Sequence, residues 1–415
     1  MKMSKKKKVF FDMLLNIVST AIPIVMLQLL ILPLIAKNID SDEYGLIVTI
    51  ISLFNVIPAT IGTVLNNIRL IHEEEYKAIE KTGDFQRLLF IYEFINAFII
   101  FVISCYYIGF SHFIDIILVV LISVIWLARE YYIVAFRIRL NYRAILFNNL
   151  FLVLGYFIGY LTFLLLGYWQ LIYLVGIMFS LIYIYKKSDI VTEKNIKTKL
   201  FKKVSTDSIL LLIATVLARL INYADKLLLY PLIGGTMVSI YYVATVFGKV
   251  VSMAITPINS VALSYLSRMK KKPDNLFKYS FFLGLVICII GYFLAIIFSK
   301  PILSIIYPKY VNAAMKYIYI TTATVCVNVL TSIITPFVLK FFDIKWQIFI
   351  NGITTSAYIV ICLLLFHFHG MTGFCIGALI SNIIKLSITA FIFIFKKENV
   401  YELENNDKEA IEMQA

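Results

Sequence analysis

The fold class this sequence predicts is an all-α polytopic membrane protein of about twelve helices, in two six-helix lobes with both termini in the cytoplasm. Three observations carry that reading. The 415 residues are 61% hydrophobic and only 15% charged, with a mean hydropathy of +0.89. Soluble domains lie nearer half apolar and a quarter charged. The charges are also clustered, which leaves apolar stretches of about twenty residues, the length a helix needs to cross roughly 30 Å of hydrocarbon. Finally, the basic clusters recur in alternate loops.

Lipid admits only helices or a closed barrel, because backbone polar groups must be satisfied internally. Barrel strands alternate apolar and polar residues. The run "IYEFINAFIIFVISCYYIGF" at 91–110 is apolar nearly throughout and reads as helix.

The start "MKMSKKKKVFF" resembles the basic region of a signal peptide. The apolar run behind it reaches roughly Ala36, too long for a cleaved signal, so it reads as the first membrane helix, 12–36. The second helix, 44–66, opens after the acidic turn "NIDSDEYG". The third to fifth are expected at 88–109, 113–135 and 144–166, and a very short turn at Gly167 and Tyr168 separates the sixth, 168–185. After a long polar segment come helices at 207–232, 237–262, 279–299, 316–341, 347–368 and 371–395.

Placing the N-terminus in the cytoplasm and alternating tests this layout. The inner segments then hold 29 of the 38 basic residues, seven of them lysines between Lys186 and Lys203. The outer loops hold only Lys37, Lys300, Lys309 and Lys316. That bias follows the positive-inside rule and accounts for the net charge of +14 better than nucleic acid does. The clusters also suit contacts with anionic membrane lipids.

The long inner segment at 186–206 divides the helices six and six, giving an N-terminal lobe at 1–195 and a C-terminal lobe at 196–415. The halves show traces of a repeat. At an offset of 198, Pro33, Leu34, Ile35 and Tyr44 fall on Pro231, Leu232, Ile233 and Tyr242. One residue of drift later, Pro58 meets Pro257 and Arg69 meets Arg268. A parallel repeat of this kind is how transporters build two lobes around a central site.

The chain has no GxxxxGK[ST], HExxH or GxSxG, so neither a nucleotide-driven pump nor a hydrolase is expected, and no cofactor is called for. The five cysteines lie in apolar stretches with no CxxC pair. His367 and His369 have no companions at ligand spacing, so no metal site is expected. Gly155 with Gly159, and Gly373 with Gly377, form GxxxG pairs expected to pack helices. Pro23, Pro58, Pro257 and Pro336 fall inside predicted helices as candidate kinks.

Charges inside the membrane are costly and mark pathways. Arg219, Lys249 and Lys385 lie near the middle of the seventh, eighth and twelfth helices. Arg129 and Glu130 sit in the inner half of the fourth helix, Glu93 in the inner part of the third, and Asp225 and Lys226 in the outer half of the seventh. Arg219 and Lys226 are seven apart and share a helix face with Asn222 between them, so a polar stripe several turns long is expected. Basic midplane residues with few acidic partners suggest a cavity for an anion, and the planar fork of Arg suits phosphate. The candidate cationic cavity is therefore Arg219, Lys249, Lys385 and Asn222. Asp225 and Glu93 are the candidate coupling carboxylates, with Na+ or H+ as the ion. The structural alternative is that these groups pair with one another as glue, or lie at the interface.

The opening "NIVSTAIPIVMLQLLILPLIAKNIDSDEYGLIVTIISLF" and the segment "INYADKLLLYPLIGGTMVSIYYVATVFGKVVSMAITPINSVALSYLSRM" resemble the polysaccharide-repeat flippases (Wzx type) of the multidrug/oligosaccharidyl-lipid/polysaccharide exporter superfamily. The resemblance implies two lobes lined by the first, second, seventh and eighth helices. It implies an undecaprenyl-diphosphate oligosaccharide substrate, flipped across a bacterial plasma membrane for surface polysaccharide such as O-antigen or capsule. A polysaccharide polymerase and chain-length machinery would be partners, and nucleic acid would not. Asp225 matches the family's "AD" position, whereas "SIYY" at 239–242 lacks the family's usual glycine. The rival readings are a cation-coupled multidrug antiporter of the same superfamily, a membrane-embedded glycosyltransferase or polymerase, and a non-transporting scaffold. Basic midplane residues count against the first, and the lack of a large outer loop against the second.

Overall fold

The computed structural model describes residues 5–79, 84–246 and 272–396 apart from 343, together with 248, 266 and 269. Among the described residues every regular element is helical. Nine of these helices are long and apolar enough to cross a membrane, or ten if a bent pair is one span. The chain is a multi-pass membrane protein.

The first helix runs from Lys5–Met26 through a π turn at Leu27–Ile31 to Leu32–Asn38. The second has two arms, Ser41–Val56 and Pro58–Ile79, and the third is Asp84–Ile108. The fourth comprises Phe113–Tyr132 and Val134–Ile138, the fifth is Tyr142–Leu166 and the sixth Gln170–Lys187. The seventh is Phe201–Ile233, and the described start of the eighth is Gly235–Val246. The ninth and tenth are Asp274–Ile306 and Val311–Phe341. The last element, Ile344–Phe395, turns at Gly370 (φ 56°, ψ −140°), between the expected eleventh and twelfth helices.

Several helices outrun their predicted ends, the second by more than ten residues. Hydropathy detects the apolar window, whereas a helix continues wherever its backbone bonds and side-chain pairs hold it. "IRLIHEEEYKAI" continues on i,i+3 and i,i+4 pairs such as Lys77 with Glu74 and Arg69 with Glu73.

By packing, the chain forms two units, Met1–Ser239 and Ile240–Ala415. The boundary differs from the expected 195/196 because the seventh helix packs along both arms of the second. The second helix is the central rod of the first unit: 83% of its most apolar window is buried, against 33% for the third. Gly155 and Gly159 act as the expected packing surface. A Cβ on Gly155 would stand 2.6 Å from Gly176 Cα, and one on Gly159 2.6 Å from Ile172 Cα. In the second unit Gly377 likewise abuts Cys362 on the preceding helix, and Phe277 stacks on Phe393 with ring centroids 4.1 Å apart.

Polar tethers hold the first unit together where the charge bias places the cytoplasm. Buried Arg69 takes Glu193 of the linker through two bonds of 2.6 Å, and also donates to Tyr131 Oη at 2.9 Å. Fully buried Asp84 accepts from Tyr76 Oη at 2.7 Å and from the Thr198 backbone N–H at 2.8 Å. His72 bridges Glu75 (2.9 Å) and Asp207 (3.0 Å), and Lys203 closes on Glu75 at 2.8 Å. Higher up, Arg129 joins the fourth helix to the fifth and sixth through Asn149 Oδ1 (2.6 Å) and Ser180 Oγ (2.9 Å), with Glu130 at 2.6 Å. These satisfied bonds make Arg129 and Glu130 structural.

Two outcomes test this packing. Gly155→Leu should cost about 1–3 kcal/mol through overpacking against Gly176, read as a lower melting temperature in detergent. Glu193→Gln, which leaves Arg69 buried beside a neutral partner, should cost about 3 kcal/mol and speed proteolysis within 186–200.

Candidate functional site

The seventh helix carries the predicted site, and it is not straight. Phe201–Leu220 and Asn222–Ile233 meet at 62°. No Pro or Gly lies at the bend. Asn222 Nδ2 instead bonds the Ala218 carbonyl at 3.2 Å, so a side chain competes with the helical ladder there. The expected continuous stripe is therefore broken, with Arg219 on one arm and Lys226 on the other.

Arg219 is half-buried and faces the second helix. Its Nη1 donates to the Asn55 carbonyl at 3.0 Å and its Nη2 to Thr63 Oγ1 at 3.2 Å. Those acceptors flank the break at Ile57 and Pro58. Proline has no N–H to donate and its ring disturbs the preceding turn, and at this break the Asn55 carbonyl takes side-chain donors, Thr60 Oγ1 at 3.3 Å as well as Arg219. Arg219 supplies donors at that kink, while its Nε makes no bond of its own among the described residues. Asn222 is exposed beside it.

Asp225 and Lys226 are both buried and paired. Lys226 Nζ stands 2.6 Å from Asp225 Oδ2, and the Lys226 backbone N–H donates to Oδ1 at 2.9 Å. Glu93 on the third helix is half-buried and forms no hydrogen bond or ion pair among the described residues. Lys385 lies half-buried on the twelfth helix in the second unit, and its ammonium likewise has no such partner among the described residues. Lys249 and Pro257 lie outside the described residues.

The sequence reading missed a clasp at the opposite end of the unit from the linker tethers. There the starts of the second and eighth helices meet. Asp42 Oδ1 accepts from the Thr236 N–H at 3.1 Å, and Ser239 Oγ donates to the Ser41 carbonyl at 2.5 Å. Asp42 thereby serves one free N–H, that of Thr236, at a helix start other than its own. Gly45 and Gly235 permit the approach, since a Cβ on Gly45 would overlap the Gly235 backbone and one on Gly235 would overlap Asp42. Gly234 turns the chain with φ 78°. A signal for this clasp is present, because Ser41 and Ser239 stand at the same 198-residue offset as the other repeat matches.

A sequence model of the family described as "Polysaccharide biosynthesis protein" matches residues 163–270, the stretch that holds the bent seventh helix. No curated protein sequence matches the chain. Among solved structures, the lipid II flippase MurJ in an inward closed conformation is similar, with a TM-score of 0.64 at 15% identity over 92% of this chain and 86% of that one. An inward-facing multidrug resistance MATE transporter of the MOP superfamily gives 0.64 at 12% identity, covering 91% and 98%. The Vibrio cholerae MATE transporter VcmN in its bent form gives 0.57 at 12% identity, covering 92% and 94%.

The chain shares its fold with these flippase and transporter structures. That fold hosts both lipid flippases and drug transporters, so function must come from the site. Unlike Arg129 and Lys226, which pair with carboxylates, Arg219 is an intramembrane cation held at a proline kink by two neutral acceptors.

The clasp makes a direct prediction. In a background without the five native cysteines, Ser41→Cys with Ser239→Cys should cross-link in membranes under mild oxidation. Shifting one cysteine to Ile240 should abolish the product.

Proposed function

We propose that this chain is a flippase. It would carry undecaprenyl-diphosphate-linked oligosaccharide repeats from the inner to the outer leaflet of a bacterial plasma membrane, by alternating access, for surface polysaccharide synthesis. The observation that carries the proposal is Arg219, a half-buried guanidinium at the centre of the segment matched to polysaccharide biosynthesis proteins. The work of such a protein is transport rather than bond chemistry.

A sugar head and a diphosphate cannot cross hydrocarbon unaided, because an unpaired charge there costs far more than binding returns. A wet cavity with cationic walls replaces the lost hydration, while the polyprenyl tail stays in lipid. Arg219 suits the diphosphate because its present partners are weak. A neutral hydrogen bond is worth about 0.5–1.5 kcal/mol net, and one to a charged group about 1.5–3 kcal/mol. A phosphate oxygen would therefore displace the Asn55 carbonyl and Thr63 hydroxyl, and the proline kink of the second helix would lose its brace on substrate binding. Lys249 and Lys385 are proposed as further cationic walls, with Asn222 as a polar neighbour. A polysaccharide polymerase and chain-length proteins would use the product.

A cation-coupled drug antiporter is the second reading, favoured by the MATE structures that share the fold. Such a protein would carry cationic compounds, and a guanidinium in the path repels them.

The test is leaflet exchange of an undecaprenyl-diphosphate oligosaccharide in proteoliposomes. Arg219→Ala should slow exchange at least about tenfold, from the loss of one charge-assisted contact, and Arg219→Lys should recover part of it. Exchange equal to that of protein-free vesicles, with drug-cation transport in its place, would sink the proposal.

A further inference from the structure

The third and fourth helices meet through a row of polar contacts, and one position in the row is short of a proton. Gln86 Nε2 donates to Tyr132 Oη at 2.9 Å, and Asn96 Nδ2 donates to Ser123 Oγ at 3.0 Å. Glu93 lies between them on the same face, seven residues after Gln86 and three before Asn96. Gln86 and Asn96 are buried, Asn96 completely, and each leaves its amide oxygen without a donor among the described residues.

The amide orientation of Asn96 is fixed. Ser123 Oγ spends its only proton on the Val120 carbonyl at 2.7 Å, so it can take only the Asn96 N–H. Asn96 Oδ1 must therefore be the atom left over. A buried acceptor in an apolar interior calls for a donor. Tyr132 keeps its own O–H for Gln86 or Glu93, but Asn96 Oδ1 has no donor, and with Glu93 ionised none can come from that carboxylate.

We propose that Glu93 is a proton-binding site, in which the protonated carboxyl donates its O–H to Asn96 Oδ1. As the site of the coupling ion, it rests on the transporter reading above. Asp225, the other candidate carboxylate, already holds Lys226 on both oxygens. The spacing selects a proton over a metal cation. Gln86 and Asn96 are ten residues apart, about 15 Å along the axis, so one ion cannot gather both amide oxygens around Glu93. No group of three or more His, Cys, Asp or Glu among the described residues could hold a metal.

The charged and titratable groups on the neighbouring elements are otherwise engaged. On the fourth helix, Tyr132 accepts from Gln86, and Arg129 holds Glu130. On the second, Arg69 holds Glu193 and His72 holds Glu75 and Asp207. On the third itself, Tyr92 shares a hydrogen bond with Ser208 of the seventh.

The test is infrared difference spectroscopy of the purified protein, without substrate, as pH is stepped through neutrality. A protonated-carboxyl C=O band should appear on acidification, be lost in Glu93→Gln, and weaken in Asn96→Leu at the same pH. A merely structural Asn96 would leave that band unchanged. A band that survives Glu93→Gln, or one that sodium removes at fixed pH, would overturn the proposal. Because the readout needs no substrate, a failure of the flippase reading leaves it intact. In exchange assays the acceleration by an imposed proton gradient should vanish in Glu93→Gln, and acceleration persisting there would count against the site.

Discussion

Backbone polar groups inside hydrocarbon must be satisfied within the protein, and several intramembrane charges of the first unit are held in the same way. Arg129 is held by three neighbouring side chains, and Lys226 by Asp225. At the inner end, outside the hydrocarbon, buried Arg69 draws the linker against the second helix through Glu193. The central position of the second helix follows as well. Its proline kink exposes acceptors, the seventh helix brings the arginine that serves them, and the two helices therefore pack together.

Arg219 braces the kink of the second helix through the Asn55 carbonyl and the Thr63 hydroxyl. Under the flippase reading we propose, an anionic head group would compete with that brace for the same guanidinium. The clasp at the far end of that helix uses neutral or singly charged bonds between helix starts. Such contacts are specific in geometry yet modest in energy.

Much of the fold was legible in the sequence because membrane spans impose simple rules on length and composition. The apolar windows marked the long helices, and the GxxxG pair at Gly155 and Gly159 announced a helix contact that the structure contains. The site was legible only in part. Arg219 stood out as a midplane charge, but its partners at Asn55 and Thr63 are more than 150 residues away, beyond any local pattern. The bend beside it has no Pro or Gly to mark it. The Asp225–Lys226 pair showed in the sequence as two adjacent charges, and burial decided that they serve each other. The linker tethers were hidden because a run of lysines reads as a topology signal, whereas Glu193, Thr198 and Asp207 within and after it make the contacts. The packing boundary at 239/240 reflects these same bonds, which hold the seventh helix to the first six.

The most direct measurement of the central claim is the accessibility of Asn222, the exposed polar residue beside Arg219. Asn222→Cys in a cysteine-free background would be treated with a membrane-impermeant thiol reagent, with and without lipid-linked oligosaccharide. The account predicts rapid labelling that the oligosaccharide slows. A thiol that fails to react, or one protected by an organic cation and not by the lipid-linked sugar, would contradict it.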